Sequence, residues 1–257
     1  MYFKQRSLTA WVLSFLLFLG GFLLPACQPA KPPLLVAAAI SLKPVMQKLQ
    51  AAYPEGDALR FSFASSGVIR QQIIQGAPYA IFLSAGTQEI DKLAKVQITG
   101  DTYTLAHNPL VTARLESEKP ACAPQDLSKK PEAKIAIGNP RTVPVGYTAQ
   151  QALGEFWKPL QPQIVFTEHA YQNIVYLRNQ AVDYAVIYQS DLKAYPQMKA
   201  CWHFGQDSGV TLTALALPGN SPHSLTSDWL QFLQSPAAQA IWETAGFTLR
   251  TSTGNSP

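Results

Sequence analysis

Leu34-Leu35-Val36-Ala37-Ala38-Ala39-Ile40-Ser41 and Arg60-Phe61-Ser62-Phe63-Ala64-Ser65-Ser66-Gly67 share one design: an apolar run of strand length ends in serine just where a helical pattern begins. After Ser41 the apolar residues Leu42, Val45, Met46, Leu49 and Tyr53 recur at steps of three and four, with Lys43, Gln47, Lys48 and Gln50 between them, until Pro54 and Gly56 stop the run. After Ser66, Val68, Ile69, Ile73 and Ile74 interleave with Arg70, Gln71, Gln72 and Gln75 before Gly76. For one such serine the plain reading is that it only caps its helix, a role worth about 1 kcal/mol. Two such entries in succession say more. In an open α/β sheet they lie along the carboxyl edge where ligands collect, and they set hydroxyls beside free backbone N–H groups at helix starts, which is the physics of a small-anion site.

Outward from these two stretches, short apolar runs alternate with helical ones: Ile81 to Ser84, Pro109 to Arg114, Lys134 to Ile137, Gln163 to Thr167, Asp183 to Ile187 and Thr211 to Leu217. Alternation of this kind predicts an α/β fold with parallel strands. Ser117 to Pro131, with Lys119-Pro120, Pro124 and Lys129-Lys130-Pro131, reads as a loop, and Gln206 to Gly209 as a second irregular stretch. Two crossings divide the chain into a first lobe, residues 34–108 plus 214–257, and a second, residues 109–213. Between Leu225 and Phe247, Trp229, Phe232, Leu233, Ala237, Ala240, Ile241 and Trp242 predict two core-facing helices broken at Ser235-Pro236.

The amino terminus carries an address. Lys4 and Arg6 precede an apolar run from Leu8 to Leu24, and Leu24-Pro25-Ala26-Cys27 follows. A basic n-region, an apolar h-region and a small residue before the junction make residues 1–26 a secretory signal. The cysteine after Ala26 resembles the lipobox of bacterial lipoproteins, which implies that Cys27 is lipidated and that residues 27–33 are a tether to the membrane. The protein is then extracytoplasmic, periplasmic or at the cell surface. Removing residues 1–26 leaves 18 basic against 16 acidic residues, a formal charge of +2, and no basic run exceeds Lys129-Lys130. Nucleic acid is not an expected partner. Cys122 and Cys201 remain as a candidate disulfide in an oxidising compartment. His107, His169, His203 and His223 stand far apart, each expected in a loop or at the surface, with no Cys/His pair at ligand spacing, so no metal site is expected. No Ser-His-Asp order and no carboxylate pair flanking the serines points to an enzyme.

In the order and spacing of several short pieces the chain resembles the substrate-binding component of bacterial molybdate ABC importers. The likeness begins at Val36-Ala37-Ala38-Ala39-Ile40-Ser41-Leu42 and runs through Phe63-Ala64-Ser65-Ser66-Gly67 and Gln72-Ile73-Ile74-Gln75-Gly76-Ala77-Pro78. It resumes at Ala136-Ile137-Gly138-Asn139-Pro140, Val143-Pro144-Val145-Gly146-Tyr147 and Val186-Ile187-Tyr188-Gln189-Ser190-Asp191, and closes at Phe232 to Ala238 and Ala245-Gly246-Phe247. The resemblance implies a two-lobed periplasmic-binding-protein-like α/β fold, each lobe a mixed, mainly parallel sheet flanked by helices, with two crossover strands. It implies a tetrahedral oxyanion, molybdate or tungstate, held between the lobes by Ser41 and Ser66 on one side and by the Val145 and Ala170 backbone N–H groups and the Tyr188 phenol on the other. The anion is the transported ligand; no cofactor is implied. An ABC permease is the implied partner and the chain is expected to act as a monomer. The alternative is a binding protein of the same fold for another anion, such as sulfate or a small organic acid.

Neutral donors suit such a ligand, since each N–H or O–H bond to a full negative charge contributes about 1.5 to 3 kcal/mol. The chain departs from the family pattern at four places: Ala80 stands where an Asp is usual, Gly86 where an Asp is frequent, Tyr171 where an Arg is frequent, and Val145 where Ala is found. These departures imply loss of an Asp-linked network and two extra methyls near the mouth of the pocket.

Overall fold

The structure, a computed structural model, describes residues 32–116, 122–205, 207–219 and 223–249. The signal segment, Cys27, most of the tether, residues 117–121 of the expected loop and Gln206 lie outside these residues.

Nine strands are described: β1 (Leu34–Ala39), β2 (Leu59–Ala64), β3 (Ile81–Ala85), β4 (Thr102–Leu115), β5 (Ile135–Gly138), β6 (Ile164–Thr167), β7 (Tyr184–Tyr188), β8 (Met198–His203) and β9 (Gly209–Ala216). They form one mixed sheet in the order β2-β1-β3-β9-β4-β7-β5-β6, with β8 also paired to β4. Four pairings are parallel and lie toward the two ends of the sheet; four are antiparallel and all involve β4 or β9. The seven longer helices are α1 (Lys43–Ala52), α2 (Ser66–Ile74), α3 (Gln88–Lys95), α4 (Pro144–Leu153), α5 (Ala170–Arg178), α6 (His223–Leu233) and α7 (Pro236–Thr244). A single turn of helix, Pro124–Leu127, lies within the stretch expected to be loop.

Strand alternation sorts the core into layers. Leu34, Val36 and Ala38 of β1 pack with Val45, Met46 and Leu49 of α1, Trp229 of α6 and Trp242 of α7. Ala37 points the other way, toward Ile69 and Ile73 of α2 and Ile90 and Leu93 of α3. Further along, Ile135 and Ile137 of β5 face Val145, Ala149 and Leu153 of α4, while Ala136 faces Ile174 and Leu177 of α5. Helices therefore cover both faces at both ends of the sheet, as a βαβ pattern requires.

At the centre β4 changes partners. Residues from Thr102 to Pro109 pair with β9, and those from Leu110 onward pair with β7 and β8. Its first half, Thr102 to Asn108, and all of β8 carry no apolar run and were not expected as strands. One consequence is a correction: His107, expected in a loop or at the surface, is 4% exposed inside β4, where its N–H donates to the Thr248 carbonyl at 2.7 Å and its carbonyl accepts from the Thr248 N–H at 2.8 Å. Cys122 and Cys201 are joined as a disulfide with Cα atoms 5.8 Å apart, fastening the chain after β4 to β8.

Candidate functional site

Ala39 and Ala64 are register partners in the parallel pair β1–β2. Ser41 and Ser66 each come two residues later, so they leave the same edge of the sheet side by side. Their surroundings differ. Ser41 lies exposed inside a short 3-10 turn, Ile40–Leu42, that precedes α1, and neither that turn nor α1 is closed by a side-chain cap. The expectation that Ser41 is an N-cap or first helical residue is corrected by this extra turn, whose geometry accommodates Pro44 in the first turn of α1. Ser66 is the first residue of α2, and the capping falls to Ser65, whose Oγ accepts the Val68 N–H at 3.4 Å. Ser66 Oγ accepts the N–H of Ala85, at the end of β3, at 3.4 Å. With that lone pair engaged, the Ser66 hydroxyl proton is left to donate.

The other half of the sheet repeats the arrangement. Gly138 and Thr167 are register partners in the parallel pair β5–β6, and the chain leaves each toward a helix start. Asn139 builds the first exit: its side-chain oxygen accepts the Arg141 N–H at 3.1 Å and its carbonyl accepts from Thr142 and Val143. Val143 then begins α4 without a side-chain cap, and since Pro144 has no N–H, Val145 supplies the first free amide of that helix. At the second exit His169 begins α5, also without a side-chain cap, so the Ala170 N–H heads that helix. Gln172 reaches back to accept the Glu168 N–H at 3.0 Å and fixes the turn.

Tyr188 closes β7 opposite Leu110 of β4, while Ala85, at the end of β3, pairs with Leu212 of β9, which pairs with Ala106 of β4. The carboxyl ends of the two sets of strands thus run toward the same short stretch of β4, from Ala106 to Leu110. Burial, and after it the charge of Asp191, raise the Tyr188 phenol above its ordinary range, so it remains a proton donor at neutral pH. Asp191 accepts the Tyr188 N–H at 3.1 Å; burial pushes its carboxyl up to about 6, against the lowering effect of that bond.

Two residues that the sequence did not single out hold these pieces in place. Asn173 of α5 is 0% exposed; its side-chain oxygen accepts from the Thr167 hydroxyl and its amide donates to the Val186 carbonyl at 2.8 Å, linking β6, α5 and β7. A polar residue beside Ile174 and Leu177 on the apolar stripe was the available signal. Asn108 of β4 exchanges hydrogen bonds with Ser190, through its amide to Ser190 Oγ at 2.9 Å and through its oxygen from the Ser190 N–H at 3.3 Å. Beside Ser41, the Lys43 ammonium lies 5.8 Å from the centre of the Phe63 ring.

The four departures have physical settings. Ala80 is wholly buried in an apolar core, its N–H donating to Leu35 and its carbonyl accepting from Leu217, a place where an unpartnered carboxylate would be costly. Gly86 holds a φ of 126°, where a side chain is strained. Tyr171 is 56% exposed and lies near Tyr195, whose phenol it helps, after burial, to raise above its ordinary range and over whose ring the Arg178 guanidinium lies at 5.3 Å. The Val145 side chain is 2% exposed and packs into the core against Gly138. Its two methyls therefore do not stand at a pocket mouth, because the β5–α4 approach leaves them the space of an absent side chain.

A sheet with both faces covered, whose strand ends gather helix starts and hydroxyls from two sides, is the architecture of a solute-binding protein. The chain matches the family of bacterial extracellular solute-binding proteins over residues 34–248, and belongs to it. It is 27% identical to the molybdate-binding protein ModA of Escherichia coli over 228 residues, covering 84% of this chain and 88% of that one. With ModA of Haemophilus influenzae it shares 25% identity over 230 residues, 84% of this chain and 89% of the relative. Among solved structures, a substrate binding domain from Clostridium difficile superposes with a TM-score of 0.76 at 25% identity, over 85% of this chain and 99% of that domain.

Proposed function

We propose that this chain is an extracytoplasmic solute-binding protein that captures a tetrahedral oxyanion, molybdate or tungstate, between two lobes and delivers it to an ABC permease. The observation that carries the reading is the pairing of Ala39 with Ala64, which sends Ser41 and Ser66 out together toward the stretch of β4 that Tyr188 also faces. In this reading Ser41 and Ser66 donate their hydroxyl protons to the anion, and the Val145 and Ala170 N–H groups and the Tyr188 phenol complete a ring of neutral donors. Helix starts add their partial positive charge. A ring of N–H and O–H donors with no carboxylate or carbonyl acceptor among them favours a fully ionised oxyanion and selects by size, since a protonated phosphate would find only hydroxyl oxygens to accept its proton. The ligand is cargo, so the reading includes neither a catalytic step nor a cofactor.

The lobes are residues 34–108 plus 214–257 and residues 109–213. Support for the division comes from β4, whose partners change between Pro109 and Leu110. The Leu24-to-Cys27 motif supports a lipid anchor on Cys27, with the domain working as a monomer on its tether. The test is calorimetric titration of the full chain in mild detergent with molybdate, tungstate and sulfate in separate runs. Tight molybdate or tungstate binding with sulfate silent is the expected result. Sulfate binding in its place would move the chain to the alternative ligand class, and silence toward all three would remove tetrahedral oxyanions of this kind from the reading.

A further inference from the structure

At the junction of β5 and α4, strand end and helix start are pressed together at two glycines. A Cβ on Gly146 would overlap the Gly138 carbonyl, so the first turn of α4 lies directly on the end of β5. A Cβ on Gly138 would come 2.8 Å from Val143 Cγ1, 3.0 Å from Val143 Cβ and 3.0 Å from Val145 Cγ1. Gly138 has no positive φ, so its backbone does not call for glycine. Its neighbours do: the two valines at the helix start occupy the volume that any side chain at 138 would need.

We propose that Gly138 is a positioning residue for ligand affinity: wedged under Val143 and Val145, its missing side chain sets the height of the α4 start, and with it the position of the Val145 N–H. This inference rests on the oxyanion reading above. Val145, inside the helix, has one strongly preferred rotamer, and Val143, at the extended cap, is restricted at χ1 by its branched Cβ, so a new methyl at 138 finds little rotamer freedom to absorb it. Interiors are close-packed and transmit such strain to the backbone. The element free to move is the first turn, which no side chain caps; the bond from the Thr148 hydroxyl to the Pro144 carbonyl lies within α4 and moves with it. A shift of that turn moves the Val145 N–H relative to donors fixed on other elements, and a charge-assisted bond weakens as its geometry departs from the optimum. Size selectivity depends on the same position, because the ring of donors is only as wide as its members allow.

The test is a mutant cycle on the full chain, read by titration calorimetry with molybdate and sulfate and by thermal unfolding. Gly138→Ala is expected to bind molybdate about tenfold more weakly, the effect of loosening one bond to an anion. The same substitution made together with Val143→Ala and Val145→Ala, which remove both Cγ1 atoms from the wedge, is expected to cost much less relative to that double variant. A merely structural role would lower the melting temperature and the fraction of active protein while leaving the dissociation constant alone. Gly138→Ala binding within about twofold of the wild type, or an equal loss in both backgrounds, would overturn the inference while the oxyanion reading stands. Silence of the wild type toward every oxyanion would overturn both. Should Gly138→Ala not fold, the Val143→Ala, Val145→Ala double variant puts the same question without added bulk: removal of both Cγ1 atoms is expected to change molybdate affinity by about threefold or more, and an unchanged value overturns the inference.

Discussion

Ser65 and Ser66 are neighbours with separate duties. Ser65 caps α2 through the Val68 N–H, whereas Ser66 accepts from Ala85 and, in the proposed reading, donates its proton to the ligand. Ser65→Ala should therefore cost about 1 kcal/mol of stability in urea denaturation and leave molybdate affinity unchanged, and Ser66→Ala should weaken molybdate binding by about 1 to 3 kcal/mol with little change in stability. The reverse pattern would exchange their roles. Asp191 supplies a pH prediction. Its folded pKa, about 6, lies above the ordinary 3.8, so folding favours the protonated carboxyl. The stability it contributes is present in full below about pH 4 and is lost as pH rises through about 6. Asp191→Asn should flatten that part of the stability profile, measured by denaturation at a series of pH values. Serine at a strand end before an amphipathic run was legible because both signals are local. The direction of the Val145 side chain was not, because it depends on the absence of a side chain at Gly138, seven residues earlier and on another element.

Elements that carry their burial in their own sequence were the readable ones. β1, β5 and β7 are buried on both faces and appear as apolar runs, and the α6–α7 break falls at Ser235-Pro236, where Ser235 accepts the Ala238 N–H at 3.3 Å. The first half of β4 reads Thr-Tyr-Thr-Leu-Ala-His-Asn and looks like loop; it becomes strand because β9 pairs with it from a hundred residues away. Met198-Lys199-Ala200-Cys201-Trp202-His203 alternates Met198, Ala200 and Trp202 with Lys199, Cys201 and His203, a strand signal fainter than the continuous apolar runs, and it runs as β8 against β4. Neither partner is visible from local periodicity. The disulfide belongs to this scale, because it joins β8 to a segment 79 residues earlier in the chain. Replacing both cysteines, Cys122→Ser with Cys201→Ser, should lower stability by about 2 to 4 kcal/mol in urea denaturation. Unchanged stability would mean that the cross-link restrains little of the unfolded chain.

For the molecule as a whole, ligand and fold are linked by mass action. Molybdate at about a hundred times its dissociation constant should add about 2.7 kcal/mol to the folded state and raise the melting temperature by about 5 to 10 °C, and sulfate at the same concentration should not. A thermal scan with each anion checks this, and an equal shift with both would remove size selection from the site. The arrangement of strands carries a different consequence, one of timing. All pairings among β5, β6, β7, β8 and the second half of β4 lie between Leu110 and His203, so that part of the sheet can assemble from one continuous stretch of chain. β1, β2 and β3 cannot be joined to β4 until β9, ending at Ala216, is inserted between them. During synthesis from the amino terminus, β3 therefore waits with Ile81-Phe82-Leu83 on an open edge while more than a hundred further residues are made. The first strands made are the last to be enclosed, which delays completion of the fold until nearly the whole chain has left the ribosome and, in the proposed extracytoplasmic reading, leaves a long interval in which the chain can still be threaded, unfolded, through a narrow pore.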